Sequence, residues 1–91
     1  MLQLRFYLLI LSLILFYRPY IFSQDDRIAL SLRKAEGEFQ NRNWAEALKI
    51  YQRLATDRPD SVPAQVGMAS SLVRLKDYPP AIVAFHRALK F

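Results

Sequence analysis

The stretch NWAEALKIYQRL, residues 43–54, predicts the fold of this chain, because a matching stretch, DYPPAIVAFHRAL, occupies residues 77–89. When the two stretches are superposed with an offset of 34 positions, large residues coincide with large ones and small residues with small ones. The coinciding pairs are Trp44 with Tyr78, Ala47 with Ala81, and Tyr51 with Phe85, while Leu54 is an exception because it coincides with the smaller Ala88. Such a recurrence at a fixed period indicates one structural unit built twice.

The chain from Ser23 onward predicts four amphipathic helices. In the first, apolar residues recur from Ile28 to Phe39 at steps of three and four positions, which place them on one helix face. The second is expected to begin after Asn43, capped by its side-chain oxygen, and to end at Arg58 and the following proline. The connections are only a few residues long, so consecutive helices are expected to lie antiparallel and side by side.

The third and fourth helices repeat this plan. Asp60 or Ser61 is the expected cap of the third helix, and a proline occupies its first turn, where a missing amide proton costs nothing. Asp77 is the expected cap of the fourth helix, in the role that Asn43 has in the first unit. The apolar stripes predicted for these helices are Val66, Ala69, Leu72 and Val73 in the third, and Ile82, Phe85, Ala88 and Leu89 in the fourth.

Residues 1–23 are predicted to be a signal peptide or a membrane anchor. The apolar run from Phe6 to Tyr17 has twelve residues, which rise about 18 Å as a helix, short of the roughly 30 Å of a bilayer core. This length favours a signal peptide cleaved after Ser23. The alternatives are a retained span from Phe6 to Phe22, with Arg18 snorkelling to the interface, and a buried core helix. Both leading interpretations predict an extracytoplasmic location, either periplasmic or secreted, or a membrane-anchored chain facing outward.

Composition and motifs argue against several functional classes. The net charge is +5, and the basic residues are interspersed with acidic ones rather than forming a stripe, so we expect no nucleic-acid binding. No cysteine is present, which excludes disulfides and thiolate metal sites. The lone histidine, His86, is expected on a solvated helix surface, and no group of residues forms a catalytic motif. The sequence predicts neither an enzyme nor a bound metal or cofactor.

Two units of 34 residues, each a helix, a tight turn and a helix, resemble tetratricopeptide repeats. The resemblance implies an all-α solenoid, with a first unit over residues 24–61 and a second, truncated unit over residues 62–91. Small residues at two family positions let helix backbones approach closely, and aromatic residues fill the space between units. The residues that match the packing signature of the family are Ala35, Trp44, Ala47, Tyr51, Pro59, Ala69, Tyr78, Ala81, Phe85 and Ala88.

The resemblance also implies where a partner would bind, since the first helices of successive units line a groove for a peptide or helix in similar proteins. The matching positions here are Ala29, Leu32, Glu36, Phe39, Gln40, Val66, Ser70, Val73 and Arg74. Family members that clamp a terminal carboxylate use lysine and asparagine where this chain has Leu32 and Glu36, so that activity is not implied. An equally supported alternative is that Leu32 and Phe39 only pack within the array.

Two functional hypotheses follow. The first is an interaction module that recruits a protein or peptide of unknown identity, in which Phe39→Ala combined with Val73→Ala removes binding without unfolding. The second is a structural or anchoring N-terminal part of a larger repeat protein. Membrane contact through an uncleaved N-terminal segment is a further expectation. So is self-association through the last helix, which presents apolar residues with no following helix to cover them.

Overall fold

The computed structural model describes residues 2–17 and 24–91. Five α-helices make up this part of the chain, in the order α1 (Leu2–Tyr17), α2 (Gln24–Gln40), α3 (Trp44–Asp57), α4 (Val62–Arg74) and α5 (Tyr78–Leu89). The predicted all-α fold is confirmed.

The helices from α2 to α5 are stacked in sequential order. α2 packs on α3, α3 on α4, and α4 on α5, and α2 also touches α4. Because three or four residues join each helix to the next, neighbours run antiparallel. The helix pairs α2–α3 and α4–α5 are thus two helix-turn-helix units in an extended arrangement, consistent with the predicted repeat.

The turns inside the two units share an unusual backbone conformation. Arg42 and Lys76 have positive φ angles of 65° and 63°, and they lie 34 positions apart, like the packing residues. After α4, the Lys76 amide donates to the Val73 carbonyl at 3.0 Å, and the Asp77 amide donates to the Leu72 carbonyl at 2.9 Å. These are the two hydrogen bonds of a Schellman motif. The sequence did not indicate that these helices end in a Schellman motif. Glycine usually occupies the left-handed position of this motif, whereas arginine or lysine occupies it here.

Two of the three predicted helix caps differ from expectation. Ser61 caps α4 as predicted, with its side chain accepting a hydrogen bond from the Ala64 amide at 3.3 Å. Asn43 and Asp77 precede α3 and α5, but neither side chain accepts a hydrogen bond from the helix that follows. Asn43 instead donates from Nδ2 to a carboxylate oxygen of Glu38 at 2.8 Å. The Schellman turn holds the amides of Asn43 and Asp77 in hydrogen bonds to the preceding helix, so here the turn itself sets the start of the next helix.

Small residues dominate the buried core. The buried apolar side chains are Ala35, Ala47, Tyr51, Leu54, Ala55, Ala64, Ala69, Leu72, Ala81 and Ala84. Alanine at so many contacts lets the helix backbones approach closely, as the family resemblance implied. Large side chains are buried only where the helices leave room for them. Tyr51 is the only aromatic residue of this buried set.

The predicted stripe of α4 is half wrong. Ala69 and Leu72 are buried, but Val66 and Val73 are 40% and 39% exposed. α4 lies between α3 and α5, so it buries two flanks, and polar Gln65 and Ser71 lie on them where a single stripe predicts none. Gln65 donates from Nε2 to the Pro59 carbonyl at 3.3 Å, and Ser71 donates from its hydroxyl to the Gly67 carbonyl at 2.8 Å.

The N-terminal helix α1 packs on none of the other helices that the structure describes. Its described side chains, such as Phe6 and Leu8, are largely exposed. Over residues 2–17 and 24–91, no helix combines the length and the apolar character needed to cross a membrane. The predicted cleavage after Ser23, and Arg18 in the alternative span, lie outside the described residues.

Candidate functional site

A surface groove of about 450 Å³ is lined by residues from the ends of α2 and α4, from the turn after α4, and from α5. We call it the α4–α5 groove. It is lined by Phe39, Ser70, Val73, Arg74, Lys76, Tyr78 and Phe85. Three of these are aromatic and two are basic, so the groove offers apolar contact area beside positive charge.

Four of the nine predicted groove residues line this groove, namely Phe39, Ser70, Val73 and Arg74. The other five, including the exposed Ala29, lie elsewhere on α2 and α4. Leu32 is half-buried and packs against the core around Ala35 and Ala55. Glu36 and Gln40 are exposed, as is Val66, and none of the three lines the groove. A binding role for any of these residues stays a prediction.

Phe39, Trp44 and Arg74 form one stacked cluster at the wall of the groove. The rings of Phe39 and Trp44 meet edge to face, with centroids 4.8 Å apart and an interplanar angle of 67°. The Arg74 guanidinium lies over the Trp44 ring, 5.3 Å from its centroid. Edge-to-face and cation–π contacts of this kind each stabilise by about 0.5–1.5 kcal/mol. The cluster links α2, α3 and α4, so Phe39 contributes to packing as well as to the groove.

Equivalent residues of the packing signature have different environments in the two units. Trp44 is half-buried and Tyr51 is only 5% exposed, whereas Tyr78 and Phe85 are 53% and 39% exposed. Tyr51 is covered because the second unit packs on the first, and its ring lies directly against Gly67 of α4. The described residues cover the corresponding face of α5 less completely. Tyr78 and Phe85 thereby line the groove, a position that the sequence did not predict for them.

The remaining signature residues lie where the helices touch or turn. Ala35, Ala47, Ala69 and Ala81 are all buried, at 0% or 1% exposure. Ala88 is half-buried and Pro59 is exposed. The Pro59 carbonyl accepts the hydrogen bond from Nε2 of Gln65 at 3.3 Å, which ties the α3–α4 connection to the core.

The two basic residues of the groove stand apart from the ion pairs that the structure describes. Those pairs join Lys49 to Glu46 and Arg58 to Asp60, each at 3.4 Å, and both lie outside the groove. No carboxylate lines the groove. The lining of the groove therefore carries two cationic side chains and no anionic one.

Burial also affects the one phenol of the core. Desolvation raises the pKa of the Tyr51 hydroxyl, and the negative charge of Glu36 raises it further. Both effects disfavour the phenolate, so Tyr51 is neutral at physiological pH and acts in packing. Among residues 2–17 and 24–91, no cluster of histidine, aspartate and glutamate side chains could hold a metal ion.

Comparison with protein-family models identifies a tetratricopeptide repeat over residues 26–61. The matched region covers most of α2, all of α3 and the connection to α4, so a tetratricopeptide repeat is present at residues 26–61. No curated protein and no solved structure matches the chain. A tetratricopeptide repeat is typically non-catalytic and implies a module for protein interaction, with partners whose identity it does not specify.

Proposed function

We propose that this chain binds an extended segment of a partner protein in the α4–α5 groove. The observation that carries the proposal is the exposure of Val73, Tyr78 and Phe85 on one wall of a groove, at 39%, 53% and 39%. Apolar groups gathered in a concavity beside a few polar ones are typical of binding sites. Repeat helices present such surfaces to peptides while their own core stays packed.

The choice of test residue follows from the stacked cluster. Phe39 contacts both the core around Ala35 and the ring of Trp44, so Phe39→Ala is expected to loosen the fold as well as the groove. Val73 is a cleaner probe, since its side chain is partly exposed and lines the groove. Val83 on α5 is a matched control, because it is 50% exposed and does not line the groove.

The experiment selects peptides from a random phage-displayed library on the full chain, then measures the affinity of a selected peptide for three proteins. These are the unchanged chain, Val73→Asp and Val83→Asp. A charge placed against a bound apolar side chain is expected to weaken binding by about tenfold or more in Val73→Asp. Val83→Asp should leave the affinity within about twofold. Circular dichroism of each variant shows whether the fold is kept. Failure to select any peptide, or equal losses in the two folded variants, contradicts the proposal.

Export or membrane attachment through residues 1–23 is part of the same proposal. It is supported by the apolar sequence of α1 and by the lack of contact between α1 and the other described helices. Expression of the full chain with a C-terminal tag, followed by mass measurement of the N-terminus, tests it. A chain beginning at Gln24 supports cleavage, whereas an intact Met1 excludes it. In the latter case, membrane attachment is tested by separating the membrane and aqueous fractions of the cells.

Self-association through α5 is a further proposal, favoured by a different observation. Ile82 and Leu89 are 56% and 82% exposed, and a second copy of this chain could cover both. Light scattering of Leu89→Lys against the unchanged chain tests this contact. Loss of a dimer in the variant supports it, and a chain that is monomeric without the substitution contradicts it.

The alternative role, a structural part of a larger repeat protein, predicts that disrupting the α4–α5 groove leaves partner binding by that protein intact.

A further inference from the structure

We propose that the α4–α5 groove selects acidic segments, in which one or more carboxylates flank apolar side chains. This inference rests on the proposed function, because it specifies the chemistry of the segment that the groove binds. Three features of the groove carry it: a guanidinium held in place, a lysine at a rigid turn, and an apolar wall beside them.

The guanidinium of Arg74 is oriented before any partner binds. The Arg74 Cζ lies over the Trp44 ring, 5.3 Å from its centroid. A guanidinium held over an aromatic ring still has N–H donors free for a carboxylate, which it can bind through two hydrogen bonds. Preorganisation of this kind reduces the side-chain entropy lost on binding.

Lys76 is placed by the backbone rather than by side-chain contacts. It occupies the left-handed position of the Schellman turn, with a φ of 63°, and its amide donates to the Val73 carbonyl at 3.0 Å. The turn therefore fixes where the lysine side chain leaves the backbone. Asp77 follows Lys76 directly, but it is not among the residues that line the groove. Nothing in the described ranges forms an ion pair with Arg74 or Lys76.

The apolar wall consists of Val73, Tyr78 and Phe85, which line the same groove as Arg74 and Lys76. A purely acidic segment would leave this wall exposed, and a basic segment would be repelled by both cations. A segment that combines carboxylates with leucine-like or aromatic side chains satisfies both parts of the site.

The test uses the full chain and three short fluorescein-labelled peptides with blocked ends. All share the apolar core Leu-Phe-Leu and differ only in the flanking residues, which are glutamate, glutamine or lysine. We expect the glutamate peptide to bind about tenfold more tightly than the glutamine peptide, and the lysine peptide to bind most weakly. Added salt should reduce this preference, because it screens exposed charges.

The variants Arg74→Gln and Lys76→Gln should each lower the affinity for the glutamate peptide by about threefold to tenfold, with little effect on the affinity for the glutamine peptide. Lys76→Gln does not disturb the aromatic cluster, so it stays informative if Arg74→Gln unfolds the chain. Arg87→Gln removes an exposed arginine on α5 outside the groove and is the matched control for net charge. It should leave the affinities of all three peptides within about twofold.

The failures of the two proposals are distinguishable. If the glutamate and glutamine peptides bind equally, and Val73→Asp weakens both, the selectivity for acidic segments is wrong while the groove remains a peptide site. If none of the three peptides binds while a library-selected peptide does, only the selectivity for acidic segments is wrong. If Val73→Asp also leaves the binding of the selected peptide unchanged, both proposals are wrong. A single-stranded oligothymidine that binds more tightly than the glutamate peptide, and depends on Arg74 and Lys76, overturns the inference in favour of a nucleic-acid partner.

Discussion

Substitution of Gly67 by alanine probes the contact between Gly67 and Tyr51, which joins the two helix pairs. Gly67 lies within α4, and the ring of Tyr51 from α3 covers it so closely that an added Cβ would overlap three ring atoms. Ordinary van der Waals contact would require 3.4–4 Å. The ring cannot give way easily, because it is buried against Ala35 and Ala47 and an aromatic ring is rigid beyond its second torsion angle.

Two opposing effects set the magnitude. Alanine in place of glycine within a helix stabilises by about 1 kcal/mol. Overpacking a core contact costs about 1–3 kcal/mol, and the depth of the overlap at Tyr51 places Gly67→Ala at the upper end of that range. We therefore expect a net loss of about 2 kcal/mol in the free energy of unfolding, which lowers Tm by roughly 8–16 °C for a domain of this size.

The assay is thermal unfolding followed by circular dichroism, with Gly37→Ala as the matched control. No atom lies within 4 Å of a Cβ built at Gly37, so this variant should gain about 0.5–1 kcal/mol. In a Tyr51→Leu background the ring is absent, and Gly67→Ala should then stabilise the chain by up to about 1 kcal/mol. A Gly67→Ala chain at least as stable as the unchanged chain, or an effect of Gly67→Ala that is the same in both backgrounds, would contradict the overlap with Tyr51.

Three further predictions concern the turns, the core alanines and the buried phenol. Arg42→Gly and Lys76→Gly should each stabilise by about 1 kcal/mol in denaturant titrations, because glycine adopts positive φ without strain; a loss of stability in both would contradict the Schellman geometry. Ala47→Leu should destabilise by about 1–3 kcal/mol, since Ala47 is fully buried at 0% exposure, and an unchanged denaturation midpoint would show that the contact can relax. Because the pKa of Tyr51 is raised, the folded state keeps its proton when the unfolded chain loses it near pH 10, so stability should fall above about pH 10. Tyr51→Phe should remove that part of the alkaline loss, and an ultraviolet absorbance titration in which Tyr51 ionises at its ordinary pH would contradict the expectation.

Most of the helical architecture could be predicted, because it depends on local signals. The helical spacing of apolar residues and the serine cap at Ser61 are visible within a single stretch of sequence. The offset of 34 positions needs only the comparison of two stretches. The candidate site was predicted only in part. Phe39 and Val73 were expected in a groove, but Tyr78 and Phe85 were assigned to packing alone, since their repeat partners in the first unit are aromatic packing residues.

Periodicity and short connections fix the repeat, the two helix pairs and their antiparallel order, because they leave little choice of topology. Which of the equivalent aromatic residues are covered depends on tertiary packing. Burial depends on what packs against a face: α4 covers Tyr51, whereas no described residue covers Phe85 to the same degree. The left-handed turns at Arg42 and Lys76 were likewise decided by the closure of two antiparallel helices, which overrides the local preference of arginine and lysine for negative φ.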